Sequence, residues 1–403
     1  MTPPTTRLVS APRGAQAGNA APGTETTLLI AAGTVILPDR ELSPGWVEVQ
    51  NGLILATGAG DPPRPADLAL PAAVLAPGFV DAHNHGGGGV SFNDSDTASV
   101  AARIIRTHLD HGTTTMMASL VTAPLHEMET LVRALAELVH GGLLAGIHLE
   151  GPWLSPNHRG AHAEELLRLP DPASVDALMK AGGGAVRMVT IAPELEGGLD
   201  AVARIVEYGA VAAIGHTDAD YDLTRSAIAA GATAGTHVFN AMRPLHHREP
   251  GAALALLETP TVFAELVADG VHLHPAVVRL ITESPARPVF VTDAMAAAGA
   301  EDGDYKLGAL DVRVADGEAR LSDGTIAGSV LTLSHAVRYA VLTAGVPLPL
   351  AIRAASQNPA DLLGLTDRGR ILPGLRADLV LLDRAMHVTA TLHEGTWVSR
   401  AVS

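Results

Sequence analysis

Six side chains stand out because of what precedes them. His83 and His85 follow the apolar run Phe79–Ala82, and Glu150 follows Leu149. His216, His237 and Asp293 follow the runs 211–214, 233–236 and 288–292. Alternate residues of a strand point to the same side, so the His83-Asn84-His85 spacing turns both rings toward one ion. Glu150 adds a carboxylate that balances cationic charge and is able to bridge two ions. The chain contains no Cys, which excludes disulfides, thiolate metal sites and cysteine nucleophiles. A metal must then be held by His, Asp and Glu. This donor set suits Zn2+ first, and also Fe2+, Mn2+ or Co2+. A single His in a strand is more often a satisfied core residue than a ligand. Four at strand ends, with an acid at another, point to one metal centre. Asp293 is placed to take a proton from metal-activated water and return it to a leaving group. The alternatives for it are a further metal ligand or a structural carboxylate.

The other candidates read as background. His108, His111, His126 and His140 fall on helices or their ends and are expected to be solvated. His246 and His247 lie in a loop and stay open. Arg248, eleven residues past His237, reads on its own as a solvated loop residue, although a guanidinium there could grip a phosphate in a bidentate pair. The Gly86–Gly89 run lacks the Lys-Ser/Thr of a phosphate loop and is read as letting backbone pass close to the metal mouth.

The elements that must position these groups alternate in type. Eight apolar, strand-like runs occur at 79–82, 114–119, 144–149, 186–191, 211–214, 233–236, 262–268 and 288–292. Most intervals between them carry a helical pattern. In 124–140, Leu125, Met128, Val132, Leu135 and Val139 share one face, and Gly141 supplies the stop. A second helix is expected over 98–111. The pattern predicts an α/β fold, a (β/α)8 TIM-type barrel over 77–368, with catalytic groups at the C-terminal ends of its strands. Strand-like runs at 27–32, 34–37, 46–50 and 53–58 recur in kind at 378–383, 388–392 and 397–402. They predict a small β-sandwich domain built from both chain ends, 25–76 and 369–403. Residues 1–24, rich in Thr, Pro, Ala and Gly, read as a disordered tail without the apolar core of a signal peptide. Charged residues make up 17% of the 403 and the formal net charge is −16. That balance argues against nucleic-acid or anionic-membrane partners, and no apolar run reaches the roughly 18 residues of a membrane span. The expected compartment is the cytoplasm.

The segments PGFVDAHNHGGGG, GIHLEGPW, RGAH, IGHTDA, THVFNAM, HREPG, ADGVH and VTDAMAAAG occur in this order. Together they resemble the N-acetylglucosamine-6-phosphate deacetylase family of the amidohydrolase superfamily, over nearly all of Pro77 to Gly364. The resemblance implies that Glu150, His216 and His237 are the main metal ligands and Asp293 the catalytic acid/base. It implies substrate contacts at Ala161, His162, Asn240, Ala241, Arg248 and His272, and at the loop Ile326, Ala327 and Gly328. In the family the equivalent of Arg248 reaches the phosphate of the neighbouring subunit, which implies a homodimer. Members that keep His-x-His hold two ions and members that lost it hold one. His83 and His85 therefore imply a second ion. The family does without a carboxylated lysine, and none of the eight runs delivers a Lys to the mouth. The implied reaction is hydrolysis of the N-acetyl amide of N-acetylglucosamine 6-phosphate to glucosamine 6-phosphate and acetate. Two other readings stay open: another amidohydrolase activity, on a cyclic amide or an N-acyl amino acid, and a scaffold that has lost catalysis.

Overall fold

The computed structural model describes residues 27–94 and 97–400. The expected tail, 1–24, and the last residues of the run 397–402 lie outside the described residues. All eight expected barrel strands form: β1 (Phe79–Asp81), β2 (Thr113–Val121), β3 (Gly146–Glu150), β4 (Val186–Ile191), β5 (Val211–Ile214), β6 (Ala234–Gly235), β7 (Phe263–Leu266) and β8 (Arg287–Phe290). They are parallel neighbours in chain order. The ring closes just beyond the strand ends. There Asp293 N–H donates to His83 O at 2.9 Å, and Asn84 pairs in parallel with Ala294. Parallel strands covered by helices on the outside are buried on both faces, which is why these runs read as continuously apolar. All nine residues of β2 are buried.

The outer helices are α1 (Thr97–Leu109), α2 (Leu125–His140), α3 (Pro172–Gly182), α4 (Gly198–Glu207), α5 (Tyr221–Ala229), α6 (Gly251–Leu257), α7 (Pro275–Thr282) and α8 (Leu333–Leu342). Their ends follow local chemistry. Asp171 caps α3 by accepting from Ser174 N–H, Pro172 occupies the first turn, and Gly183 ends it in the left-handed region. Asp220 caps α5 in the same way through Leu223 N–H.

Both chain ends join one sheet in the order Thr396–Arg400, Val388–His393, Leu379–Leu382, Leu68–Pro77, Thr27–Ile36, Gly45–Gln50, Leu53–Ala59. Its far strand bonds back to the C-terminal segment, Ile54 N–H to Leu375 O at 2.8 Å. The sheet thereby curls over its own core of Ile30, Val35, Val47, Ile54, Leu75, Leu379, Leu381 and Leu392. The two runs expected at 27–32 and 34–37 are one strand, with a register shift at Gly33. A Cβ at Gly33 would lie 2.3 Å from Pro71 O, so a side chain there would force the two strands apart.

A third unit was not foreseen. After β8, Gly303–Leu307, Leu310–Ala315 and Glu318–Arg320 form a three-stranded antiparallel sheet. It packs Leu307, Val312, Val314 and Ala319 against Met295–Ala297 and so roofs the end of β8. Among the described residues, no helix is long and apolar enough to cross a membrane.

Candidate metal centre and active site

Each candidate ligand sits where its strand ends. His83 and His85 follow β1, Glu150 is the last residue of β3, and His216, His237 and Asp293 follow β5, β6 and β8. Three of them adopt positive φ, at 47° for His216, 28° for His237 and 48° for Asp293. Such conformations cost of order 1–3 kcal/mol each and persist only where surrounding contacts impose them. Here the contacts are visible: Ser155 N–H donates to His216 O, Asn240 N–H to His237 O and Ser329 N–H to Asp293 O, all at 2.8–2.9 Å. The sharp turn out of each strand swings the side chain over the barrel mouth.

The side chains converge on Glu150. Its Oε1 is 3.0 Å from both His216 Nε2 and His237 Nε2. Its Oε2 is 3.0 Å from His85 Nε2 and 3.6 Å from His83 Nε2. Asp293 Oδ1 completes that side at 3.2 Å from His85 and 3.4 Å from His83. Two donor groups thus share one carboxylate. Within them, His83 and His85 place Nε2 atoms 2.9 Å apart, and His216 and His237 place theirs 3.1 Å apart.

The rear nitrogens settle what those Nε2 atoms carry. His85 Nδ1 faces Ser119 O at 3.2 Å and His216 Nδ1 faces His158 O at 2.9 Å. Carbonyls only accept, so Nδ1 carries a hydrogen, and in the neutral ring Nε2 presents a lone pair. His83 Nδ1 likewise faces Glu265 Oε2 at 3.2 Å. Lone pairs opposed at about 3 Å repel unless a proton or a cation lies between them, and a dication suits this donor set. The donor chemistry fits a metal. His83, His85, Glu150 and Asp293 form one group able to hold an ion, and Glu150, His162 and His216 form another. His162 differs in tautomer, however: its Nδ1 accepts from Thr122 N–H at 3.4 Å, which leaves Nε2 carrying a hydrogen that points to Glu150 Oε2 at 3.5 Å. His237 is closer and, among the described residues, has no partner behind its ring.

Burial opposes charge throughout the cluster. It pushes the His162 imidazolium down to about 4, so that ring is neutral. It lowers His148, whose nitrogens face Ser119 Oγ and Thr190 Oγ1; this strand-end His is a satisfied core residue. For His83 and His85 burial is outweighed by Glu150 and Asp293, which raise both. Glu150 and Asp293 are held below the usual carboxylate range despite burial, through those same imidazoles.

Above the ligands opens a cavity of about 350 Å3. Of the expected substrate contacts, Ala161, His162, Asn240, Ala241, His272, Ile326 and Gly328 line it. Ala327 is fully buried behind the wall, in the core of the three-stranded unit. Arg248 lies outside the cavity on an exposed loop, with Nη1 2.7 Å from His247 Nε2. His272 Nδ1 is 2.7 Å from Asp269 Oδ2, and its Nε2 is 4.0 Å from Asp293 Oδ2. Burial opposes charge on His272, but Asp269, then Asp293, raise it above the ordinary value.

The sequence reading missed Asn157, His158, Leu307 and Thr325, which also line the cavity, and Glu265 beneath it. One reading is corrected. His108 is fully buried, not solvated, with Nε2 2.9 Å from Gly86 O and 3.0 Å from Asn84 Nδ2. It shares the inner face of α1 with Val100 and Ile104, a spacing of four that was open to reading. His111, His126 and His140 are exposed as expected. The glycine run packs against the segment after β8 and against α1: Gly88 N–H and Gly89 N–H donate to Ala298 O and Ala296 O, and a Cβ at Gly87 would lie 2.8 Å from His108 Nε2.

A model of the amidohydrolase family matches residues 74–398. The chain belongs to the amidohydrolase family. This amidohydrolase is 36% identical over 377 residues to the N-acetylgalactosamine-6-phosphate deacetylase of Escherichia coli O157:H7, covering 91% of this chain and 100% of that protein. It is 33% identical to the N-acetylglucosamine-6-phosphate deacetylase of Bacillus subtilis (strain 168), over 92% and 96% of the two. Among solved structures, an aspartate-to-alanine mutant of the Mycobacterium smegmatis N-acetyl-D-glucosamine-6-phosphate deacetylase, in complex with N-acetyl-D-glucosamine-6-phosphate, matches at 48% identity and a TM-score of 0.90. That match covers 93% of this chain and 100% of the other.

Proposed function

We propose that this amidohydrolase hydrolyses the N-acetyl amide of N-acetylglucosamine 6-phosphate, yielding glucosamine 6-phosphate and acetate. The observation that carries the reading is the split role of Asp293. Its Oδ1 belongs to the donor cluster, while Oδ2 faces the cavity and His272. A group so placed holds a proton between the ligand side and the substrate side.

His216, His237 and Glu150 Oε1 would hold one divalent ion. His83, His85, Glu150 Oε2 and Asp293 Oδ1 would hold a second. Zn2+ suits the set first, with Fe2+, Mn2+ or Co2+ as substitutes. A bound ion polarises the acetyl carbonyl and lowers the pKa of its water from about 16 toward 7. The protein does the rest. Asp293 Oδ2 takes the proton of the attacking water and returns it to the departing sugar nitrogen. His162 Nε2–H is aimed to donate to oxygen that gains charge in the transition state. Asn240, Ala241 and the Ile326–Gly328 rim enclose the sugar and exclude water, and charged His272 offers a donor to its phosphate. We further propose that Arg248, exposed on its loop, reaches the phosphate in the neighbouring subunit of a homodimer. A phosphorylated sugar does not cross bilayers unaided, which supports a reaction in the cytoplasm.

A second reading rests on the E. coli O157:H7 relative: the C4 epimer, N-acetylgalactosamine 6-phosphate, as substrate. One experiment decides both. Acetate release is followed on each phosphosugar with metal content measured on the same sample. Faster turnover (kcat/KM) of the gluco epimer supports the proposal. No acetate from either sugar by metal-loaded protein overturns it.

A further inference from the structure

Glu265 lies in the middle of β7 and is fully buried. Its backbone carbonyl accepts from Val238 N–H within the barrel. Among the described residues that carboxylate has one polar contact, Oε2 to His83 Nδ1 at 3.2 Å, and Oε1 has none. A buried carboxylate with a single partner is costly. His148, which packs edge-on against His83 at 4.4 Å, does not relieve it, because both its nitrogens face hydroxyls.

We propose that Glu265 is a positioning residue for the ion at the His83/His85 group, and that this ion alone depends on it. The proposal rests on the metal reading given above. A carboxylate accepting from Nδ1–H fixes the tautomer, aims Nε2 at the ion and makes the ring a stronger donor. The arrangement is one-sided. Among the described residues, His85 and His216 are backed by neutral carbonyls and His237 by nothing. Of these four rings His83 alone has a carboxylate of the described residues behind it, so the effect of Glu265 is confined to one half of the centre. Charge leads to the same place. Glu150, Asp293 and Glu265 are three carboxylates in or touching the cluster. One dication leaves one carboxylate charge unbalanced, so the cluster still attracts a second cation.

The test uses the full chain, stripped with chelator and titrated against buffered free Zn2+, with bound zinc measured by mass spectrometry. Wild type should bind two ions. In Glu265→Leu, which replaces the carboxylate with an apolar side chain of similar size, the Kd of one ion should rise about 10- to 100-fold. The other ion should be unchanged. Glu265→Gln, which keeps an acceptor but not the charge, should fall between. Adding Glu265→Leu to His83→Asn should weaken zinc no further than His83→Asn alone. The proposal is overturned if both variants bind two ions as wild type does, or if both ions weaken equally, as a general structural role would require. It also fails if wild type holds a single ion that His83→Asn leaves in place. A wild type that binds no zinc at all refutes the metal reading itself, a result separate from any of these.

Discussion

Asp293→Asn isolates the proton-handling role from the rest of the site. The two side chains match in size, so Asn Oδ1 still faces His83 and His85 across the 3.2–3.4 Å gaps. The Oδ2 position becomes an NH2 group, which takes up no proton at neutral pH. Loss of a positioned acid/base lowers kcat by about 10²- to 10⁴-fold, or about 3–5 kcal/mol at 1.36 kcal/mol per decade. Substrate binding should be spared, for a reason visible in the cavity wall. Charge on His272 rests first on Asp269 at 2.7 Å and only secondarily on Asp293 at 4.0 Å. With Asp269 intact, His272 keeps its nearest partner, and KM should move far less than kcat. The assay is steady-state acetate release with zinc content on the same sample, since the ion on Glu150, His216 and His237 should remain. A kcat within tenfold of wild type would refute the assignment. So would a loss of rate that tracks loss of all metal.

Arg248→Ala should raise KM for the phosphosugar well beyond its effect on N-acetylglucosamine; equal effects would show that Arg248 does not read phosphate. Because Arg248 lies outside its own cavity, mixing Arg248→Ala with Asp293→Asn chains should restore activity, to about a quarter of wild type for random dimers with one intact site in half of them. No restoration on mixing refutes the shared site. Away from the cavity, Asp378 ties the C-terminal strands to one another by accepting from His393 Nδ1, Glu394 N–H and Arg376 Nε at 2.8–3.0 Å. Burial opposes its charge, but these partners hold its carboxyl below the ordinary 3.8. A depressed folded value means stabilisation that is full above 3.8 and lost as pH falls below it. Asp378→Asn should therefore cost about 1–3 kcal/mol in urea unfolding at pH 7. The gap to wild type should narrow toward pH 3. A gap that widens there contradicts the sign.

The barrel was legible because its strands are buried on both faces, and such runs announce themselves by apolar content alone. Even β6, reduced to Ala234–Gly235, was marked by the His that follows it. The strand Leu68–Pro77 was missed because Pro71 interrupts it and its ten residues are all Ala, Leu, Val or Pro, so no polar position marks the alternation. The three-stranded unit was missed for a related reason. Gly303–Leu307 and Leu310–Ala315 alternate in burial, but their outward positions carry Asp, Lys and Arg and their inward faces are short. At the site, His83, His85, Glu150, His216, His237 and Asp293 were visible because each breaks the texture at a strand end. Glu265 breaks it in mid-strand, where an acid reads as a polar outward residue. Only the ring of neighbouring strands reveals that no outward side exists there. Asn157 and His158 come from a loop with no periodicity to read, and reach the cavity through the path of the chain alone.

The left-handed turns at His216, His237 and Asp293 carry a consequence for how the chain can change. At each position glycine would relieve the backbone, so folding stability and ligand identity pull in opposite directions at three of the six residues that matter most. Mutational drift that rewards stability alone would erode the rim first and leave the barrel wall untouched. A descendant released from its reaction would then be recognisable by glycines where these three side chains now stand, on a scaffold more robust than its parent.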